Sequence, residues 1–185
     1  DKTTPLVMVT RTRGDFYSKP MLSTALTKGK SAAELSMKSA DAMATQLNAT
    51  IVTETAVTAI DRETKTIQFA DSKLVYSKLV LALGADPIPL SLPGNAGSEL
   101  VSINHLDDYV SFESWLADKQ RIAILGSGLV GCELMNDLLN SGRQVTVASL
   151  EDWPLARFLP EALGRVFAET LSAQGVVWHC GDSAI

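Results

Sequence analysis

Cysteine is scarce: Cys132 and Cys180, 48 positions apart, are the only two in 185 residues. That spacing rules out a CxxC redox pair and a zinc ligand set built from sequence neighbours. The expectation is two buried thiols in a reducing compartment. Long hydrophobic runs are also missing. LVLAL from Leu79 is typical of the longest, far short of the roughly 20 residues that a membrane-spanning helix needs. The opening residues carry no signal-peptide pattern, so a cytoplasmic protein without a membrane partner is expected. Positive charge is in deficit, with 16 Lys and Arg against 21 Asp and Glu, a net charge of −5 and a pI near 5.0. A nucleic-acid protein would show the opposite balance on at least one face.

What is present is apolar material, 46% of the chain, enough to bury a core in one or two compact units. Asp1 is not Met, and Ile185 follows closely on the apolar run VVW from Val176. A piece of a longer chain is expected.

Leu6 to Thr10 reads as a short continuous apolar strand, followed by the polar loop RTRGDFYSKP and helix-like material from Met21. Leu35, Met37, Ala40, Met43, Ala44 and Leu47 are spaced as one face of a helix over residues 31–47. From Thr50 the period changes to that of strands: TIVT, AVTAID, KTIQFA, KLVY and a final buried LVLAL. Pro87, Pro89 and Pro93 then exclude helix and central strand, so a domain boundary is placed near residue 100. Beyond it come a helix over 106–118, a strand over 121–125, a glycine turn and a helix to about Asn140. A strand from Gln144, a helix over about 160–174 and a strand over 176–178 complete the chain. Alternating strands and helices of this kind predict an α/β, Rossmann-like parallel sheet.

The glycine turn carries the chemistry. Gly126, Gly128 and Gly131 form GxGxxG between the strand RIAIL and the helix LVGCELMNDLL, the context that turns a weak pattern into a dinucleotide-binding one. The first glycine permits the tight turn, the second lets backbone approach a pyrophosphate, and the third lets the helix pack close to the strand. Leu129 and Val130 open the helix, whose free N–H groups face the phosphates. At the end of the next strand Ser149 stands where an acidic residue usually holds the ribose hydroxyls. Glu151 and Asp152 lie just beyond, and no basic residue follows until Arg157. A 2′-phosphate would meet negative charge there, which favours NAD(H). Glu133 allows two readings. One is a helix-end charge stabilising by roughly 0.3–1 kcal/mol, and the other is a group that acts on the cofactor.

FYSKPMLS from Phe16, LVLALGADP from Leu79 and the glycine motif occur in an order that resembles the FAD-dependent pyridine nucleotide reductases, flavoproteins with two dinucleotide-binding domains. The resemblance covers essentially the whole chain. That family opens with an FAD-binding unit carrying its own GxGxxG and closes its FAD domain with a motif whose Asp meets the flavin ribityl chain. Neither is found here. The resemblance therefore implies a partial FAD domain over residues 1–100 and an NAD(H) domain over residues 101–185, incomplete at its end.

Residue by residue, Lys19 and Pro20 match the segment beside the isoalloxazine ring, where a lysine stabilises negative charge on reduced flavin. Without the family, Lys19 is a solvated loop charge. Val57 matches a position whose backbone meets the adenine of FAD, although by pattern alone it is an inward strand residue. Ala82 and Gly84 match an ATG turn near the flavin, with Leu83 in place of the Thr. Glu133 matches an acidic residue close to nicotinamide and flavin. The implied catalytic residues are Lys19 and Glu133. The implied cofactor-binding set adds Pro20, Val57, Ala82, Gly84, Gly126, Gly128, Leu129, Val130, Gly131 and Glu151.

The implied reaction is hydride transfer from NADH to FAD, then single-electron steps to rubredoxin or a similar small acidic carrier. YSKPMLSTA lacks the redox cysteines of the dithiol and single-cysteine branches, so electrons leave directly from flavin. Lys2, Arg11, Arg13, Lys19, Lys28 and Lys30 outnumber Asp1 and Asp15 within residues 1–30. They suit either a docking face for an acidic partner or a solvated surface. Ferredoxin, flavorubredoxin, a quinone or a small oxidant are alternative acceptors, and a nucleotide-binding module without activity is the alternative outside enzymes.

Overall fold

The structure is a computed structural model that describes residues 3–92 and 94–182. Asp1, Lys2, Pro93 and Ile185, on which expectations above rest in part, lie outside the described residues. In chain order the elements are β1 (Leu6–Val9), α1 (Ala32–Leu35), α2 (Ala40–Leu47), β2 (Ala49–Val52), β3 (Val57–Asp61), β4 (Thr66–Phe69), β5 (Ser72–Val75), α3 (Leu106–Leu116), β6 (Arg121–Leu125), α4 (Leu129–Asn140), β7 (Gln144–Ser149), α5 (Glu161–Ser172) and β8 (Val177–Cys180). Short 3-10 turns occupy Lys19–Ser23 and Ala96–Glu99. The chain forms two compact units: residues 1–18 with 36–87, and residues 19–35 with 88–185.

In the first unit β1 and β2 pair in parallel, Leu6 opposite Ala49 through Val9 opposite Val52. A parallel pair needs a crossover, and α2 supplies its helix. Ser39 caps α2 by accepting the Ala42 N–H. Asn48 ends it in the left-handed region at φ 51° and returns its N–H to Ala44 and Thr45. β3, β4 and β5 follow as an antiparallel meander. Its first turn is held by Asp61, whose carboxylate accepts the N–H groups of Glu63 and Thr64.

Three expectations about secondary structure fail in the first half of the chain. The helix predicted over residues 31–47 is broken into α1 and α2. The Phe16 N–H donates to Lys38 O and the Met37 N–H to Phe16 O, and that bridge takes the groups a continuous helix would need. The run LVLAL forms no strand. Val80, Leu81 and Leu83 are exposed, because among the described residues no strand edge pairs with them and a lone segment has no ladder to satisfy. Helix-like material from Met21 is a 3-10 turn followed by tight turns.

The second unit is built on a parallel sheet ordered β6-β7-β8. Ile122, Val145 and Val147 are buried on it. α4 connects β6 to β7 and α5 connects β7 to β8, with Met135 and Leu138 of α4 buried. α3 buries Leu106, Tyr109, Phe112 and Leu116, a single face at three- and four-residue spacing. A reciprocal cap starts it: His105 Nδ1 accepts the Asp108 N–H, while the Asp108 carboxylate accepts the N–H groups of Asn104 and His105. Residues 19–35 belong to this unit and bury Leu22, Ala25, Ala32 and Leu35.

Candidate functional site

The glycine loop leaves β6 at Gly126, whose φ of 104° is open only to glycine. Its N–H donates to Ala148 O on β7 at 2.7 Å, tying the turn to the sheet. Gly128 is the N-cap of α4 in extended backbone, and a Cβ placed on it would meet nothing within 4 Å. A Cβ on Gly131 would stand 2.2 Å from Gly126 O, so the helix and the turn touch because no side chain intervenes. Leu129 and Val130, the first helical residues, are exposed. The N–H groups of this first turn have no intrahelical partner and sit at the positive end of the helix. Open space over Gly128 together with those donors fits the paired phosphates of a dinucleotide.

Glu133 lies on α4 beyond its first turn, which contains no acidic residue. The reading as a helix-end charge loses its basis there, since that stabilisation falls off within the first turn. Its carboxylate instead accepts the Ser23 hydroxyl at 2.6 Å. Ser23 is itself buried, and its hydroxyl also lies 3.1 Å from Pro20 O. Lys19, on the same 3-10 turn, donates to Asn104 Oδ1 at 2.9 Å. Lys19, Pro20, Ser23, Asn104, Val130 and Glu133 line one cleft of about 350 Å³.

One turn further along α4, Asp137 is 1% exposed and accepts the N–H groups of Thr27 at 2.7 Å and Leu26 at 3.0 Å. Glu113 of α3 accepts the Ala32 N–H. Three carboxylates thus hold residues 19–35 by the Ser23 hydroxyl and the N–H groups of Leu26, Thr27 and Ala32.

At the far side of the glycine loop, the buried Ser127 hydroxyl donates to Ser149 Oγ at 2.7 Å, and Ser149 donates to Glu151 Oε2 at 2.6 Å. The Ser149 hydrogen bond, joined by the residue's own N–H, holds the Glu151 carboxyl below the usual range. Arg157 Nε stands 3.6 Å from Glu151 Oε1.

The remaining candidates lie in the first unit. Val57 opens β3 and is exposed rather than inward. Ala82 is exposed, and Gly84 has φ 66° with nothing within 4 Å of where a Cβ would stand, leaving room for a flat ring against the backbone. Of the basic stretch, Arg11 pairs with Asp86 and Arg13 lies 3.8 Å from Asp15.

Both thiols are free. Burial pushes Cys132 up to about 11, and its Sγ donates to Ser127 O. Cys180 is half-buried rather than buried, and desolvation raises it as well. Among the described residues no group of three His, Cys, Asp or Glu side chains could hold a metal, and no helix is long and apolar enough to cross a membrane.

Sequence reasoning missed Ser23, Asn104, Ser127 and Asp137. Only Asp137 left a signal, a carboxylate set inside the apolar run LMNDLL.

A family model described as pyridine nucleotide-disulphide oxidoreductase matches residues 2–184. The chain is similar to a rubredoxin-NAD(+) reductase of Alcanivorax borkumensis, 42% identical over 184 residues, covering 100% of this chain and 48% of that protein. It is also similar to a nitric oxide reductase FlRd-NAD(+) reductase of Aeromonas salmonicida, 35% identical over 98% of this chain and 46% of the other. Among solved structures, NADH:rubredoxin oxidoreductase from Clostridium acetobutylicum superposes with a TM-score of 0.85 at 23% identity, over 97% of this chain and 47% of that one. The chain spans about half the length of the curated relatives it matches.

Proposed function

We propose, from the premise that this chain belongs to the pyridine nucleotide-disulphide oxidoreductase family, that the protein passes electrons from NADH through FAD to a small iron-sulfur carrier such as rubredoxin. The observation that carries the reading is the cleft in which Lys19 and Pro20, matched to the flavin side, line the same space as Glu133 on the helix of the glycine loop. In this reading residues 1–100 supply part of an FAD-binding domain and residues 101–185 most of an NAD(H) domain. The cytoplasm is its place.

FAD, when bound, supplies the two-electron acceptance from NADH and the single-electron delivery onward. The chain's own residues bind and orient. The open backbone at Gly128 and the first-turn N–H groups of α4 seat the pyrophosphate. Ser23 holds the Glu133 carboxylate at the cleft, and Lys19 adds a positive charge to the lining. Val57, Ala82 and Gly84 offer backbone to FAD. Neither Cys132 nor Cys180 lines the cleft, so in this reading cysteine stays out of the electron path.

A related reading exchanges the acceptor for flavorubredoxin, supported by the similar FlRd-NAD(+) reductase at 35% identity. The test uses the intact protein. Bound flavin absorbance should bleach on anaerobic addition of NADH, and rapid-mixing reoxidation should be fastest with an iron-sulfur carrier. A protein without flavin, or one reoxidised equally by every acceptor, would overturn the proposal.

A further inference from the structure

Two opposite charges line one cleft without meeting. Lys19 and Glu133 both border it, yet among the described residues they form no ion pair with each other. Each is held instead by a neutral group. The Lys19 ammonium donates to Asn104 Oδ1 at 2.9 Å, and the Glu133 carboxylate accepts from the Ser23 hydroxyl at 2.6 Å. A lysine on its flexible four-carbon stem would otherwise be drawn to a carboxylate in the same cleft, and a closed pair would cancel most of both fields. The Asn104 amide takes the hydrogen bond and leaves the charge.

Asn104 is able to do this because its backbone is fixed. The Asp108 carboxylate accepts the Asn104 N–H at 2.8 Å and the His105 N–H at 3.0 Å, in the reciprocal cap that starts α3. That duty commits a carboxylate one helical turn from Asn104 to backbone donors instead of to Lys19.

We infer that Asn104 is a positioning residue for hydride transfer, keeping the Lys19 ammonium at the cleft as a charge separate from Glu133. The inference rests on the proposed function, which puts flavin and nicotinamide at this cleft, and adds the residue that stops its two charges from cancelling. Hydride transfer moves two electrons and one proton from the dihydronicotinamide ring to the flavin. The first ring gains a positive charge and the second a negative one. A carboxylate and an ammonium held apart complement that change, whereas the same two groups joined as an ion pair would present little net field to either ring.

The test reads the two-electron reduction potential of flavin bound to the intact protein, by spectroscopic titration against reference dyes in the absence of NADH. Asn104→Ala keeps the backbone N–H that Asp108 accepts, so α3 keeps its cap, while Lys19 is freed to close on Glu133. It should lower the equilibrium constant for reduction by about tenfold, or about 30 mV. Asn104→Asp, which gives Lys19 a charged partner, should lower it at least as much. In a Lys19→Met protein, already lowered, Asn104→Ala should add nothing, because its effect passes through the lysine. A potential unchanged in Asn104→Ala, with Lys19→Met still lowering it, overturns the inference and leaves the proposed function standing. A loss of the same size with and without Lys19 does the same. If Lys19→Met leaves the potential unchanged, the placement of the lysine beside flavin falls with the inference. A protein that holds no flavin overturns the inference and the proposed function together.

Discussion

The Ser23 hydroxyl donates to the Glu133 carboxylate at 2.6 Å across 110 residues of sequence. That contact joins the 3-10 turn carrying Lys19 to the helix that begins at the glycine loop, and it holds the carboxylate against that turn. Glu133 has no first-turn position to justify its charge, so its conformation is set for the cleft and not for the helix.

Glu133→Gln in the intact protein should slow flavin reduction by NADH by about tenfold or more while changing NADH affinity less, because a carboxylate that the proposed function puts at the reacting end would act on the transition state more than on binding. Rapid mixing under anaerobic conditions separates the two. An unchanged reduction rate would return Glu133 to a purely structural role.

The two glycines three apart should fail differently when replaced by alanine. Gly131→Ala puts a methyl 2.2 Å from Gly126 O, a backbone atom that cannot step aside, and should destabilise the protein by about 1–3 kcal/mol in urea unfolding. Gly128→Ala meets only open space, so its stability should change by less than about 1 kcal/mol while NADH binding drops. Equal stability losses for both would contradict the geometry.

Asp137→Asn leaves one of the Leu26 and Thr27 N–H groups facing an amide donor instead of an oxygen. A buried donor left unsatisfied costs about 1–3 kcal/mol. Hydrogen exchange at those two amides should quicken more than at Ala32, whose N–H is held by Glu113. Uniform exchange across residues 19–35 would show that Asp137 does not clamp the segment.

Alkali should weaken the fold in a defined window. Burial raises Cys132 from 9.0 to about 11 and Tyr109 from 10.0 to about 12. Each group keeps its proton more firmly when folded than when unfolded. The stability linked to it is therefore complete below the unfolded value and lost as pH rises toward the folded one. Urea midpoints should hold from pH 7 to about 9 and fall between about 9 and 12. Substituting Cys132→Ala should remove the early part of that fall, and a decline already complete by pH 9 would contradict the assignment.

The second half of the chain was open to reading because its elements carry their own evidence. RIAIL forms β6 at the predicted residues, and α3, α4, β7, α5 and β8 fall within a few residues of expectation, since each carries apolar residues at the period of its own geometry. The first half was less readable. A helical period ran through residues 31–47 unbroken, yet the Phe16 to Lys38 bridge divides it, and hydrophobic spacing carries no record of a partner 22 positions away. LVLAL has the composition of a buried strand, but composition does not supply an edge to pair with.

By itself, then, the sequence determined the α/β class, the position of the glycine turn and the acidic character of the residues after β7. Those are local properties: a glycine where φ must be positive, a helix start where donors are free, a charge near a strand end. Tertiary structure alone decided that Ser23 orients Glu133, that Asp137 clamps Leu26 and Thr27, and that Ser127 reaches Glu151 through Ser149. Such hydrogen bonds join groups brought within about 3 Å by packing, and a short-range force between distant positions leaves no periodic trace in the order of residues.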